Sequence, residues 1–272
     1  MMTRELRVPM GKGHAKRLVL AAGLALAVVR SAAAEQAVDH SVWDRLLHRY
    51  VQDGLVDYQA LSSNDRADLD RYLSSLKTVV PGQLPTKDAE LAFWINAYNA
   101  FVFKGVLDHY PLKSVKDVKG FFDSIPYSIA GGELTLNQIE AKGRALGNFR
   151  IHFAVVCASS SCPILRSEAY VPERLAAQLT EQATQFLSKP QRGFRIEGDT
   201  VWISKIFKWY ARDFIPGGKM TLDTLLPVIR PYLSLEIAGQ LGQPAKFKLK
   251  FMEYDWTLNN RSAVNPAAEA QP

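Results

Sequence analysis

Hydrophobic spacing divides the chain into recognisable pieces. In SVWDRLLHRYVQDGLVDY, residues Trp43, Leu46, Leu47, Tyr50 and Val51 recur at i, i+3, i+4, i+7 and i+8, which predicts an amphipathic helix ended by Gly54. ADLDRYLSSLKTV predicts a second helix, stopped at Pro81-Gly82. TKDAELAFWINAYNAFVFKGVLDHYP carries the clearest helical pattern: Thr86 can cap it, Asp88 and Glu90 occupy its first turn, and Pro111 closes it. From Leu91 to Leu107 it is apolar almost all round, so burial is expected. Asn96 and Asn99 stand out there, three apart on one face, because a buried amide needs partners. YSIAGGELTL predicts a hairpin turning at Gly131-Gly132, and Thr135 with Gln138 a capping box opening the helix TLNQIEAKGRAL.

RIHFAVVC, β-branched and apolar on both faces, predicts a central strand. Pro172 opens a further helix, ERLAAQLTEQATQFLS, which ends before Pro190. FRIEGDTVWI predicts a hairpin turning near Gly198-Asp199, SKIFKWYARDF a short helix, Leu222 to Leu233 another helix, and KFKLKFMEYDW an edge strand. The aromatic residues of WYARDF are expected in the core, and Asp213 with Arg212 as a surface ion pair or a cap. Helices alternating with hairpins predict a mixed α/β or α+β single domain around the RIHFAVVC strand. No internal repeat is visible.

The N-terminus changes how charge is read. Arg4, Arg7, Lys12, Lys16 and Arg17 precede the apolar run LVLAAGLALAVV and an Ala32-Ala33-Ala34 exit. This is the pattern of a secretory signal peptide over 1–34, with cleavage after Ala34 and a periplasmic or secreted product. The run is shorter than the ~20 residues of a spanning helix, so no transmembrane segment is expected after cleavage. The formal charge of +6 lies mostly in this leader. Beyond it the basic residues are dispersed, giving no reason to expect nucleic acid. The domain is expected over 35–261 and a disordered tail over 262–272.

IHFAVVCASSSCPIL holds both cysteines, Cys157 and Cys162, and His152. In an oxidising compartment the two cysteines could form a disulfide fixing the loop. A structural zinc site would need four ligands, and one nearby histidine leaves it short, so no metal or cofactor is expected. Alternatively Cys157 is a nucleophile with His152 as its base. In that case the backbone amides of Ser159, Ser160 and Ser161 would cradle developing negative charge. Against this, positions 152 and 157 of a strand face opposite sides. Asn96 or Asn99 would then orient the histidine or bind substrate, as in papain-like and transglutaminase-like enzymes, or else would tie the helix to neighbouring backbone.

LAFWINAYNAFV, IHFAVVCASSSCPIL, ISKIFKWYARDF and YDWTLN together resemble the DUF547 family, a domain of unknown function, over roughly Ser41 to Asn260. The family's motif residues fall on Trp94, Asn96, Tyr98, Asn99, His152, Cys157, Ser161, Cys162, Pro163, Ser204, Lys205, Phe207, Trp209, Asp213 and Phe214. Plant members often lack the second cysteine, which implies a role for Cys157 beyond a disulfide. Their coiled coil has no counterpart here. The residue after Glu140 departs from the family, being Ala141, which weakens any catalytic part for Glu140. The functions that follow are a cysteine-dependent amide hydrolase or acyl transferase acting on a small peptide-like substrate, or a module binding a low-molecular-weight thiol such as glutathione. In the second, Cys162 would resolve a mixed disulfide while Asn99, Lys205 and backbone amides hold carboxylates. A third is an interaction protein with a structural Cys157–Cys162 bond.

Overall fold

A computed structural model describes residues 38–261. The leader read at 1–34 and the tail read at 262–272 lie outside these residues. Helix α1 (Ser41–Tyr50) buries Trp43, Leu46, Leu47 and Tyr50, the apolar face that the spacing predicts. It ends at Tyr50 rather than Gly54, and a hairpin of β1 (Val51–Gln52) and β2 (Leu55–Val56) follows. Its turn residues Asp53 and Gly54 have φ of 51° and 79°, so Asp-Gly here marks a tight hairpin turn, not a helix stop. Helices α2 (Tyr58–Asn64) and α3 (Arg66–Ser75) lead to α4 (Lys87–Asp108), capped by Thr86, whose hydroxyl accepts from Ala89 N–H at 3.0 Å. From Leu91 to Phe103 every residue of α4 is buried, as an all-round apolar pattern requires.

The hairpin β3 (Tyr127–Ile129) and β4 (Gly132–Leu134) turns at Ala130-Gly131, one residue earlier than the glycine pair suggests. Helix α5 (Leu136–Arg144) begins at the Thr135–Gln138 capping box and packs along α4. The two helices approach at Gly143, where a Cβ would stand 2.6 Å from Ile151 Cδ1 and 3.2 Å from Trp94 Cβ.

RIHFAVVC is not a strand. Phe149–Phe153 forms a 3-10 turn, and irregular backbone continues through the cysteine loop. The physical reason lies in buried amides that replace a sheet ladder. Asn99 receives Val156 N–H at 2.9 Å and donates to Ala154 O at 3.0 Å. Asn96 receives Tyr170 N–H at 2.9 Å and donates to Tyr170 O at 2.8 Å. Gln182, on α6 (Leu175–Leu187), donates to Ile164 O at 2.7 Å.

Strands β5 (Phe194–Glu197) and β6 (Thr200–Ile203) form the second long hairpin. Short helices α7 (Lys205–Trp209), α8 (Ala211–Phe214), α9 (Leu222–Ile229) and α10 (Leu235–Gln240) carry the chain over to β7 (Lys248–Phe251), which pairs parallel to β6 at the sheet edge. A C-terminal strap then runs back across the molecule. It bridges Ser114 through Thr257, Ser159 through Leu258 and Val56 through Asn260. The largest core surrounds α4; a second joins Phe153, Phe207 and Phe214 to the three-stranded sheet. The fold is therefore mixed α+β. No helix among the described residues is long and apolar enough to cross a membrane.

Candidate functional site

The cysteine loop, α4, α5, α7 and the C-terminal strap enclose a cleft of about 340 Å³. Tyr98, Phe122, Trp209, Tyr210, Tyr254 and Trp256 supply its aromatic walls; Glu140, His152, Cys157 and Cys162 supply its chemistry, and Lys116 and Asp123 are polar residues at its exposed side.

Cys157 and Cys162 form a disulfide with Cα atoms 6.3 Å apart. Both cysteines line the cleft, Cys157 half-buried and Cys162 buried at 3 % exposure. The two sulfurs differ in their surroundings. Cys162 Sγ accepts from Cys157 N–H at 2.9 Å and from the Tyr254 hydroxyl at 3.2 Å. Cys157 Sγ lies 3.2 Å from Ser159 Oγ and 3.3 Å from Tyr254 Oη. Burial holds the Tyr254 phenol up at about 12, so it stays a hydrogen-bond donor at neutral pH. Between the cysteines, Ala158 takes a φ of 59° although it is not glycine. A buried, non-glycine residue in the left-handed region costs on the order of 1 kcal/mol or more, held here by the surrounding packing.

His152 is a buried part of the cleft lining. Its Nε2–H donates to Asp213 Oδ2 at 2.8 Å, and its ring stacks on Tyr210 at 4.1 Å. Arg144 grips the same carboxylate through Nε at 2.7 Å and Nη2 at 3.1 Å. Asp213 is thus a partner of two α5- and loop-borne groups, not of Arg212 at the surface. Arg144 beside it, together with His152, holds the Asp213 carboxyl below the usual range despite partial burial. Burial pushes His152 down to about 4; the Asp213 hydrogen bond and charge oppose this without overcoming it. The imidazole is neutral at pH 7, with the proton on Nε2, and Nδ1 has no hydrogen-bond partner among the described residues.

The sequence-derived candidates separate. Cys157, Cys162 and His152 share the cleft, because the bent backbone removes the opposite-face problem of a strand. His152 makes no hydrogen bond to either sulfur. Asn96 and Asn99 have both amide ends on backbone and hold the loop in place. Of the three amides expected to form an oxyanion cradle, two are engaged by the strap: Ser160 N–H donates to Thr257 O at 2.8 Å and Ser161 N–H to Asp255 O at 3.2 Å. Ser161 Oγ accepts from Asp255 N–H at 2.8 Å, so these serines fasten the strap, while Ser159 alone touches a sulfur. Lys205 pairs with Glu253 at 2.6 Å outside the cleft, and Lys116 is the lysine that reaches the lining, stacked over Trp256. WYARDF divides: Phe214 joins the core as expected, whereas Trp209, 47 % exposed, and Tyr210 line the cleft. Arg144 and Tyr254 belong to the site without being among the candidates that the sequence singles out, and Glu140, set aside there because of Ala141, lines the cleft as well. Glu140 and Arg144 lie four apart on one helix, which is the available signal.

Residues 82–187 match the model of the family described as "Protein of unknown function, DUF547". The match supports, over this span, the resemblance read from the motifs. No curated protein and no solved structure matches the chain. The matched span includes both cysteines, His152 and Glu140, while Trp209, Asp213 and Tyr254 come from outside it.

Proposed function

We propose that the protein is exported and that its cleft exchanges the Cys157–Cys162 disulfide with a small thiol. The observation carrying this reading is the asymmetry of the two sulfurs. An incoming thiolate would attack the half-buried Cys157 Sγ. The Cys157–Cys162 bond breaks, its electron pair leaves on Cys162 Sγ, and a mixed disulfide forms on Cys157. The leaving thiolate departs into two donors already aimed at it, the Cys157 N–H and the Tyr254 hydroxyl. Attack by Cys162 on the mixed disulfide runs the same steps backwards and releases the thiol.

Glutathione is the first thiol to try. Oxidised protein incubated with it, acid-quenched and mapped, is expected to carry one glutathionyl group on Cys157 and a free thiol on Cys162. A disulfide that accepts no thiol in the native protein contradicts the reading and leaves the loop a structural staple. Export is supported by the leader pattern over 1–34 and by the disulfide, which persists outside the reducing cytosol. Mass measurement of the exported product is expected to place its first residue at Glu35.

A second reading rests on the His152–Asp213 pair. Once excess small thiol has reduced the disulfide, Cys157 would attack the carbonyl of a small peptide-like amide or thioester, the C–N or C–S bond breaking as the amine or thiol leaves and water later releasing the acid, with the histidine oriented by the aspartate. A Cys157→Ala protein that keeps such an activity contradicts it. The amides of Ser160 and Ser161, already engaged by the strap, make this the weaker reading.

A further inference from the structure

The Glu140–His152 end of the cleft carries two buried hydrogen-bond acceptors without partners among the described residues. Glu140, 7 % exposed, lines the cleft, and its Oε1 has no hydrogen-bond partner among the described residues. His152, 2 % exposed, lines the same cleft, and its Nδ1 is a second acceptor without a partner among those residues, because Nε2 carries the proton given to Asp213. Arg144, whose charge acts on both, is occupied by Asp213 and lies over the Tyr210 ring. A buried acceptor left unmatched is costly. The group that suits this end is one that brings several donors and no acceptor. Carboxylates and hydroxyl-poor apolar groups do not qualify, whereas an ammonium has three N–H donors.

The aromatic lining points the same way. Tyr98, Trp209 and Tyr210 line the cleft with Glu140, and aromatic faces attract a cation within about 6 Å. We propose, resting on the exchange reading above, that the thiol ligand carries a primary amine and that Glu140 receives it. Burial holds the Glu140 carboxyl above its usual range, partly offset by the Tyr210 hydroxyl and Arg144. A seated ammonium would supply the missing counter-charge.

The test compares three small thiols on the oxidised protein: cysteamine, 2-mercaptoethanol and 3-mercaptopropionate. Initial rates of mixed-disulfide formation on Cys157 are each divided by that thiol's rate with a small model disulfide in the same buffer, which removes intrinsic reactivity. The expected order is cysteamine first by about tenfold or more over 2-mercaptoethanol, with 3-mercaptopropionate last, as a charge-assisted hydrogen bond implies. Glu140→Gln is expected to bring the cysteamine preference down towards unity. Should that variant fold poorly, the panel on the unaltered protein still decides. Equal normalised rates, or a preference for 3-mercaptopropionate, overturn the amine site while leaving thiol exchange intact. No reaction with any of the three overturns the exchange reading itself.

Discussion

Tyr254 donates its hydroxyl hydrogen to Cys162 Sγ at 3.2 Å and lies 3.3 Å from Cys157 Sγ, so one side chain of the C-terminal strap touches both sulfurs of the disulfide. The strap is held to the loop by Ser160 N–H on Thr257 O, Ser161 N–H on Asp255 O and Ser161 Oγ under Asp255 N–H. The serines of CASSSC therefore set the position of the phenol relative to the cysteines.

Tyr254→Phe removes a donor from the leaving sulfur and keeps the ring. Mixed-disulfide formation at neutral pH is expected to slow by about tenfold, the worth of one hydrogen bond to a developing charge. Stopped-flow or quenched mass spectrometry with glutathione measures it. An unchanged rate means that Tyr254 only packs.

Asn99 is the hinge between α4 and the cysteine loop, through Ala154 O and Val156 N–H. Asn99→Ala leaves both backbone groups buried and unpaired, so a loss of about 2–5 kcal/mol in unfolding free energy is expected from denaturant titration. Asn99→Asp keeps the acceptor for Val156 N–H but presents a carboxylate to Ala154 O, and should not restore stability. A near-neutral Asn99→Ala contradicts the clamp.

Gly143 lets α5 lie against α4. Gly143→Ala would thrust a methyl group into Ile151 and Trp94, with an expected loss of about 1–3 kcal/mol and a lower Tm. Because α5 carries Glu140 and Arg144, the same change is expected to disturb the cleft.

Two buried histidines contribute to the loss of stability in acid. His152 and His40 are each held at about 4 against an ordinary 6.5, so both are neutral in the folded protein and take up protons on unfolding. The unfolded state binds more protons between pH 6.5 and 4, so stability falls as pH drops through that window and levels below it for these groups. His152 alone accounts for about 3 kcal/mol at most. His152→Gln is expected to flatten the acid-side loss by roughly half of the histidine contribution, with unfolding free energies at about pH 7 and about pH 4 giving the comparison. A slope identical to that of the unaltered protein contradicts the assignment.

Local signals carry much of the fold. Thr86, the Thr135–Gln138 box and the Gly198-Asp199 turn act through neighbours within a few residues, so their spacing identifies the elements directly. RIHFAVVC misleads because a β-branched apolar run suits any buried segment. What separates a central strand from buried coil is the backbone's partner, and here that partner is Asn99, more than fifty residues away. The site divides along the same line. The two cysteines and His152 announce themselves within one loop. Asp213, Tyr254 and Glu140 join them only through tertiary packing, and their own sequence surroundings give no hint of a sulfur or an imidazole nearby.

The central claim is that Cys157 takes the ligand and Cys162 leaves. The most direct measurement uses Cys162→Ser and Cys157→Ser, each exposed to glutathione disulfide under native conditions and followed by intact mass. The account predicts one rapid adduct on Cys162→Ser, located at Cys157, and little or none on Cys157→Ser, whose remaining thiol is buried beneath Tyr254. Equal labelling of the two variants, or faster labelling of Cys162, would contradict it.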